Sequence, residues 1–333
     1  MTFAHTSPPS QATPPLASGT PMHLAECFAR DVLEGLSLPE KSIPPTWLYD
    51  ATGCELFEAI TDLPEYYPTR TETGILRRCV GDIAAAVGPH AVVVEIGSGS
   101  SRKTPLLLHA LTSPQAYVPI DIADDSLASA IPPLAARFPT MQFYPTVGDF
   151  RQPLTLPLVL HEFTGRRLGF FPGSTIGNLR PHEAEECLAS IRATLGRHSL
   201  LVLGVDITRD PAVLLPAYDD AQGITARFNL NLLARINREL GGTFDLHRFR
   251  HMVRYDDRRP RIEMHLVSML DQRVRVMGRE FRFAEGETLH TENSYKYRLT
   301  ELAPVARASG WMTENVWTDP DARFAVMLLS ATD

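Results

Sequence analysis

A short segment that follows an apolar run carries the clearest chemical signal in the chain. Val92–Ile96 reads VVVEI and runs directly into Gly97-Ser-Gly99. A run of β-branched residues without polar alternation predicts a strand that is covered on both faces, as in a parallel sheet. Glycines at the end of such a strand let the backbone pass close to a ligand. The segment therefore predicts a site for a nucleotide-type cofactor.

The residues around this motif distinguish between cofactors. The dinucleotide fingerprint has a third glycine, whereas this chain carries Arg102 and Lys103 in that region. The acid Glu95 precedes the first glycine, and the next apolar run ends in Asp121, a place suited to accepting hydrogen bonds from both ribose hydroxyls. This pattern favours S-adenosylmethionine over NAD, although a lone Gly-x-Gly after a strand is equally compatible with a plain tight turn.

Composition limits the classes of function. The formal net charge of -7 and the isoelectric point near 5.9 argue against a nucleic acid or a membrane surface as partner. No apolar run has the length of a bilayer, and the first residues show no charged region followed by an apolar core. The four cysteines form no Cys-x-x-Cys pair, so no metal site is indicated. We expect a cytoplasmic monomer that acts on a small molecule.

The pattern along the chain predicts how the elements are organised. Residues 1–20 are rich in Pro, Ser, Thr and Ala, which is typical of a disordered tail. Residues 21–207 give N-terminal helices and then strands alternating with helices, which predicts an α/β fold with a doubly wound parallel sheet. Residues 208–294 interrupt the alternation with a long helix and antiparallel strands, and we interpret them as an inserted α+β substrate-binding lobe. Residues 295–333 add a helix and two strands that complete the catalytic domain.

Several segments together resemble the histidine-specific N-alpha-methyltransferases of ergothioneine biosynthesis. They are Trp47–Gly53 (WLYDATG), Leu63–Glu72 (LPEYYPTRTE), Val94–Gly99 (VEIGSG), Phe171–Leu179 (FPGSTIGNL) and Ala217–Ala221 (AYDDA). The resemblance runs from residue 25 to the C-terminus, and its second and fourth strings are long and unusual. It implies a class I methyltransferase sheet, Rossmann-like with an antiparallel last strand. It also implies S-adenosyl-L-methionine as cofactor and trimethylation of the alpha-amino group of L-histidine to hercynine.

The resemblance assigns cofactor contacts to individual positions. They are Tyr66, Gly97, Lys103, Asp121, Asp149 and Phe150. At the last two, an acid accepts the exocyclic amine of adenine beside an aromatic face. Taken alone, Asp149 could be a helix cap or turn residue, and Lys103 a solvated lysine. A cation near a helix N-terminus is electrostatically unfavourable, which favours a specific anionic partner for Lys103 such as the cofactor carboxylate.

The amino-acid end of the site rests on three further residues. Asn178 and Tyr218 match family residues that hold the substrate carboxylate, and their N–H and O–H donors do so without placing a positive charge beside the sulfonium. Tyr49 is the candidate catalytic residue that orients the amine, although a phenol is a poor base at neutral pH. Without the resemblance, Asn178 could simply close a turn and Tyr218 could be a half-buried core residue.

Side-chain recognition is assigned to Glu292 and Ser294, with Met264 packing on the ring of the substrate. Glu292 and Ser294 alternate along an extended chain, so both can face one pocket and interact with the two nitrogens of an imidazole. They could otherwise be the exposed face of a strand. Asn293 stands between them, where the family pattern has an apolar residue.

Two other functions remain open at the level of sequence. An enzyme of the same family could methylate another amino acid such as tryptophan or tyrosine, and an indole has less use for Glu292 and Ser294. A cofactor-binding regulator without catalysis is the second alternative. The combined presence of cofactor and carboxylate residues argues against that regulator.

Overall fold

A computed structural model describes residues 21–332, and the tail predicted over residues 1–20 lies outside them. The helices are α1 (Pro21–Ser37), α2 (Ala51–Thr61), α3 (Tyr67–Val87), α4 (Thr104–Ala110), α5 (Asp124–Arg137), α6 (Pro181–Leu195), α7 (Pro211–Tyr218), α8 (Ile224–Leu240) and α9 (Leu299–Ala308). The strands are β1 (Val92–Ile96), β2 (Ala116–Asp121), β3 (Gln142–Phe143), β4 (Thr146–Val147), β5 (Arg167–Phe171), β6 (Leu200–Asp206), β7 (Phe249–Asp256), β8 (Arg261–Ser268), β9 (Gln272–Val276), β10 (Arg279–Phe283), β11 (Thr288–Tyr295), β12 (Trp311–Thr318) and β13 (Phe324–Ala331). No helix within this range has both the length and the apolar character that crossing a bilayer demands.

The largest sheet has the strand order β12-β13-β6-β5-β1-β2-β3, with β4 also pairing to β2. Strands β1, β2, β5 and β6 are parallel, and β13 runs antiparallel to β6. The chain leaves β1 in one direction through β2 and later returns to its other side through β5. This reversal opens a crevice at the carboxyl ends of β1 and β5, where α/β folds bind ligands. The predicted doubly wound sheet of the class I methyltransferase type, with its antiparallel last strand, is confirmed.

The burial of β1 explains why its sequence lacks polar alternation. Val92, Val94 and Ile96 belong to the apolar cluster on one face of the sheet. Val93 belongs to the cluster on the opposite face. Helices cover both faces, so each side chain of the strand except Glu95 can be apolar. The rigid centre of the sheet thus fixes the loop that follows β1.

A second group of elements lies outside the large sheet. Strands β11, β8 and β7 form a three-stranded antiparallel sheet, and β9 pairs with β10 in a hairpin. Their apolar side chains share one cluster with α8 and with the N-terminal helices, through residues such as Phe28 and Trp47. Helix α8 is bounded by Gly223 and Gly241, whose φ angles of 67° and 60° favour glycine. Helices α1 and α2 and the segment from α7 to β11 therefore pack into one body beside the large sheet, the second body.

Candidate active site

A cavity of about 880 Å³ lies where the carboxyl ends of β1, β2, β5 and β6 meet this second body. All of the site residues predicted from the sequence line it. They are Tyr49, Tyr66, Gly97, Lys103, Asp121, Asp149, Phe150, Asn178, Tyr218, Met264, Glu292 and Ser294. The cavity thus brings together residues from distant parts of the chain, while the role of each stays a prediction.

The loop after β1 has the conformation that its glycines were expected to allow. Gly97 and Gly99 have φ angles of 64° and 47°, in the left-handed region that side chains disfavour. A Cβ atom on Gly97 would lie 3.4 Å from the ring of Phe150, and the Gly97 amide donates to the Ile120 carbonyl at 2.9 Å. The loop therefore turns tightly across the end of β2 and leaves its backbone open to the cavity.

Asp121 ends β2 beside this loop, and the backbone holds its carboxylate. The Gly99 amide donates to Oδ2 at 2.9 Å, and the Ala123 amide donates to Oδ1 at 3.0 Å. Burial raises the pKa of Asp121, and these backbone hydrogen bonds oppose that shift. A carboxylate oxygen accepts more than one hydrogen bond, so both oxygens retain capacity for a ligand.

Lys103 has an anionic partner, but that partner belongs to the protein. Its ammonium forms an ion pair with Glu72, whose side chain is buried on α3. The Gly173 amide donates to both oxygens of the same carboxylate, at 3.0 and 2.9 Å. Glu72 thereby joins the cofactor loop to the turn after β5. The signal that we missed was a glutamate on the apolar stripe of α3, three residues before Ile75.

The Asp149 carboxylate is already engaged in the structure. Arg151 forms two-pronged hydrogen bonds with it, including Nη2 to Oδ2 at 2.7 Å and Nε to Oδ1 at 2.9 Å. The Arg151 backbone amide also donates to Oδ1 at 3.0 Å, which makes Asp149 a turn residue. Phe150 packs edge-on against Phe171, with ring centroids 5.5 Å apart. Arg151 was not among the site residues predicted from the sequence.

An aromatic wall lines the amino-acid side of the cavity. The ring centroids of Phe57 and Phe228 lie 5.5 and 5.3 Å from that of Tyr49, and neither phenylalanine was predicted as a site residue. The ring centroids of Tyr66 and Tyr218 are 6.3 Å apart. Burial, followed by the charge of Glu292, raises the pKa of Tyr49 well above the ordinary value of a phenol. Tyr49 therefore keeps its proton at neutral pH, which suits an orienting group and disfavours a general base.

Glu292 is a buried carboxylate with an unsatisfied oxygen. It pairs in register with Met264 on β8, so the two side chains share one face of the sheet. Among the described residues, its Oε2 atom has no hydrogen-bond partner. Burial raises the pKa of Glu292 to about 8, and the nearby charge of Lys296 opposes that rise. Because an unpaired buried acceptor is costly, this pocket is suited to a ligand that brings a donor.

Ser294 and Tyr218 meet next to Glu292, together with a lysine that we did not predict. The Tyr218 hydroxyl and the Ser294 Oγ atom are 2.7 Å apart. Lys296 donates to Tyr218, to Ser294 and to the Asp206 carboxylate. Positions 292, 294 and 296 alternate along one strand direction, which is the signal that could have identified Lys296.

Asn178 reaches the cavity from the turn after β5. It ends a short 3-10 turn, Thr175–Asn178, and its side chain is half-buried. The turn is fixed by Ser174, whose Oγ atom accepts from the Asp206 amide at 3.0 Å. A Cβ atom on Gly177 would lie 2.9 Å from the Tyr295 carbonyl, so the turn packs closely against the end of β11. Asn178 therefore faces the cavity from the sheet, opposite residues supplied by the second body.

Comparison with known proteins identifies the family. The family described as histidine-specific, S-adenosylmethionine-dependent methyltransferase matches residues 28–331. The chain belongs to this family. It is 43% identical to the histidine N-alpha-methyltransferase of Mycolicibacterium smegmatis, over 91% of this chain and 95% of that protein. It is 40% identical to the protein of the same name from Mycobacterium tuberculosis, over 92% and 95% of the two chains.

A longer fungal relative shares the same region. The chain is 29% identical to ergothioneine biosynthesis protein 1 of Neurospora crassa, over 84% of this chain and 32% of that protein. This chain therefore matches about a third of the length of that fungal protein.

The cofactor of this family, S-adenosylmethionine, fits the residues that line the sheet side of the cavity. Its ribose diol needs an acceptor, and Asp121 provides a half-buried carboxylate with remaining capacity at the end of β2. Its close approach to the backbone needs a loop without side chains, as at Gly97 and Gly99. The protein is therefore an S-adenosylmethionine-dependent methyltransferase.

Proposed function

We propose that this enzyme transfers methyl groups to the alpha-amino group of L-histidine and yields trimethylated hercynine for ergothioneine biosynthesis. The observation that carries the proposal is the buried Glu292 carboxylate, whose Oε2 atom has no partner and which lines the cavity of a histidine-family methyltransferase. An imidazole supplies an N–H donor, or a positive charge when it is protonated. The names of the two mycobacterial relatives and the fungal relative support the same substrate and pathway.

Each end of histidine has its own set of residues in this proposal. Asn178 and Tyr218 hold the carboxylate through N–H and O–H donors. Glu292 and Ser294 bind the imidazole nitrogens, and the buried Met264, in register with Glu292, packs on the ring. Tyr49 orients the amine.

At the cofactor end, Asp121 binds the ribose hydroxyls and the loop at Gly97 lies against the methionine part. Phe150, with Asp149, borders the adenine, while Tyr66 stands between cofactor and substrate. Because Lys103 pairs with Glu72, Lys103 also fixes the position of the loop that carries these contacts.

Catalysis then depends on position and on exclusion of water. Bound S-adenosylmethionine supplies an electrophilic methyl group on a sulfonium. The protein must present a neutral amine in line with that group, and the aromatic wall removes water from the amine. Phe57, Phe228 and Tyr49 also offer ring faces to the cation that grows with each methylation. We further propose that the enzyme acts as a cytoplasmic monomer.

The test is direct. Purified protein is incubated with S-adenosylmethionine and the twenty amino acids, and the products are identified by mass spectrometry. We expect trimethylated histidine as the main product. Preferred methylation of tryptophan or tyrosine would leave only the general amino-acid methyltransferase, and no methylation would support the non-catalytic regulator.

A further inference from the structure

Lys296 is a fully buried cation that the proposed reaction does not yet use. Its side chain has no exposed surface, and that of its partner Asp206 is 1% exposed. The Lys296 Nζ atom lies 2.7 Å from Asp206 Oδ2, 2.9 Å from the Tyr218 hydroxyl and 2.9 Å from Ser294 Oγ. An ammonium has three N–H donors and no acceptor, so all three donors are engaged. Burying such a charge is costly unless it is paired and hydrogen-bonded, as it is here.

Asp206 anchors this lysine to the large sheet. It is the last residue of β6, and its Oδ2 atom also accepts from the Tyr67 hydroxyl at 2.6 Å. Lys296 directly follows β11, and its backbone amide donates to the Pro260 carbonyl at 2.8 Å. The ion pair thus joins the end of the large sheet to the strands that carry Ser294.

A count of protons shows what the contact between the two hydroxyls, both held by Lys296, leaves for a ligand. Tyr218 and Ser294 each accept a hydrogen bond from Lys296, and their oxygens are also 2.7 Å from each other. One hydroxyl hydrogen must lie between the two oxygens, donated by one to the other. Only one hydroxyl hydrogen is then left for a ligand. Tyr218 and Ser294 cannot both donate to the substrate while this network is intact.

We propose that Lys296 is a positioning residue that makes Tyr218 and Ser294 one recognition unit, which offers a single hydroxyl proton to the substrate. Recognition of the substrate carboxylate at Tyr218 is thereby coupled to recognition of its side chain at Ser294. This inference rests on the proposed function because it uses the roles given there to both hydroxyls. It adds a residue that touches neither the cofactor nor the reacting atoms and acts through its neighbours.

The first test replaces Lys296 with methionine, which keeps the length of the side chain and removes the charge. We expect KM for histidine to rise roughly 10- to 100-fold, the range for losing hydrogen bonds to a charged group, with a smaller change in kcat. Affinity for S-adenosylmethionine, measured by calorimetry, stays unchanged. An unchanged KM would overturn the proposal.

Because Lys296→Met leaves the Asp206 charge unpaired, the double variant Lys296→Met/Asp206→Asn is made in parallel. It removes both charges, so the same rise in KM is expected without a buried unpaired carboxylate. If the rise in KM disappears in the double variant, the single variant acted through the stranded charge and the proposal is wrong.

A double-mutant cycle measures the coupling itself, first with Lys296 in place and then in the Lys296→Met background. Tyr218→Phe, Ser294→Ala and their combination are compared by kcat/KM for histidine. We expect the combined loss to be several-fold smaller than the product of the single losses, because each substitution already breaks the shared unit. In the background of Lys296→Met the losses become multiplicative. Losses that are multiplicative with Lys296 in place would contradict the proposal that Tyr218 and Ser294 act as one recognition unit.

Tyr67→Phe is the matched control for this series. It removes a hydrogen bond to the same Asp206 carboxylate but none to Tyr218 or Ser294. We expect it to leave the preference for histidine over histidine amide unchanged, whereas Lys296→Met weakens that preference. Equal effects of both variants would show a general structural role for the cluster. Turnover of histidine by the unmodified protein is scored separately, so failure of the proposed function is distinguished from failure of this inference.

Discussion

Two carboxylates, the half-buried Asp121 and the buried Glu292, lie at opposite ends of the cavity and are held in opposite ways. Asp121 ends β2, and its two oxygens accept hydrogen bonds from the Gly99 and Ala123 amides. Glu292 lies on β11, and its Oε2 atom has no partner among the described residues. Burial raises the pKa of both groups. The difference indicates that the protein backbone alone holds the Asp121 carboxylate in place, whereas a ligand must complete the hydrogen bonding of Glu292.

This contrast has an electrostatic consequence. Backbone amides donate to both oxygens of Asp121 and oppose the rise that burial causes in its pKa, so its oxygens are oriented before any ligand arrives. Glu292, with a pKa raised to about 8, is largely protonated at neutral pH until a donor or a cation enters its pocket. In the proposed function, binding of the cofactor and binding of the amino acid thus rest on two similar groups that the protein holds in different ways.

The largest effect is expected at the end of the cavity that contains Asp121. Asp121→Ala removes the proposed acceptor for two ribose hydroxyls and should weaken binding of S-adenosylmethionine by about 2 to 4 kcal/mol. Calorimetry measures this loss. Glu292→Ala is the control, since it lies at the other end and should leave cofactor affinity intact. Unchanged affinity in Asp121→Ala would remove this residue from the cofactor site.

A smaller effect is expected where the substrate carboxylate binds. Asn178→Ala removes an N–H donor to a charged group and should lower kcat/KM for histidine by about 1.5 to 3 kcal/mol, with cofactor binding retained. Histidine amide should be a far poorer substrate than histidine for the unmodified enzyme. Steady-state kinetics with both compounds provide the measurement, and equal turnover of the amide would refute the assignment.

Per pH unit, the smallest effect appears without any ligand, in the pH dependence of stability. The pKa of Glu292 is about 8 in the folded protein against an ordinary value of 4.5, so the folded state binds this proton more tightly. Between these values the free energy of unfolding should fall by about 1.4 kcal/mol per pH unit as the pH rises. Glu292→Gln removes that slope. Denaturant unfolding at several pH values should show that the free energy of unfolding of the variant rises relative to that of the unmodified protein as the pH approaches 8. Free energies of unfolding that change with pH in the same way in both proteins would contradict the raised pKa of Glu292.

Much of the fold could be predicted because its signals are local. The apolar run of β1 and the helix–strand alternation depend on neighbouring residues, and the central sheet followed from them. That residues 208–294 form a separate substrate-binding lobe remains a prediction. Its apolar cluster also contains Phe28 and Trp47 from the N-terminal helices. Spacing within a helix cannot reveal which distant apolar face it will meet.

The site was predictable to the extent that motifs or strand alternation mark it. Glu72 and Lys296 were missed because their partners lie far away in the sequence, at Lys103 and Gly173 for one and at Asp206 and Tyr218 for the other. Charged residues in apolar surroundings were the visible signal in both cases. Only the fold shows that each charge is paired and what the pair holds in place.

The central claim is that Glu292 selects an imidazole by leaving a buried acceptor for it to complete. The most direct measurement is the ratio of kcat/KM for histidine to that for tryptophan, in the unmodified enzyme, in Glu292→Ala and in Glu292→Ala/Met264→Val. We expect a ratio strongly in favour of histidine. It should fall when Glu292→Ala costs histidine about 2 to 4 kcal/mol of transition-state stabilisation, and fall further when Met264→Val widens the pocket. An unmodified enzyme that prefers tryptophan, or a ratio that neither substitution changes, would contradict the account.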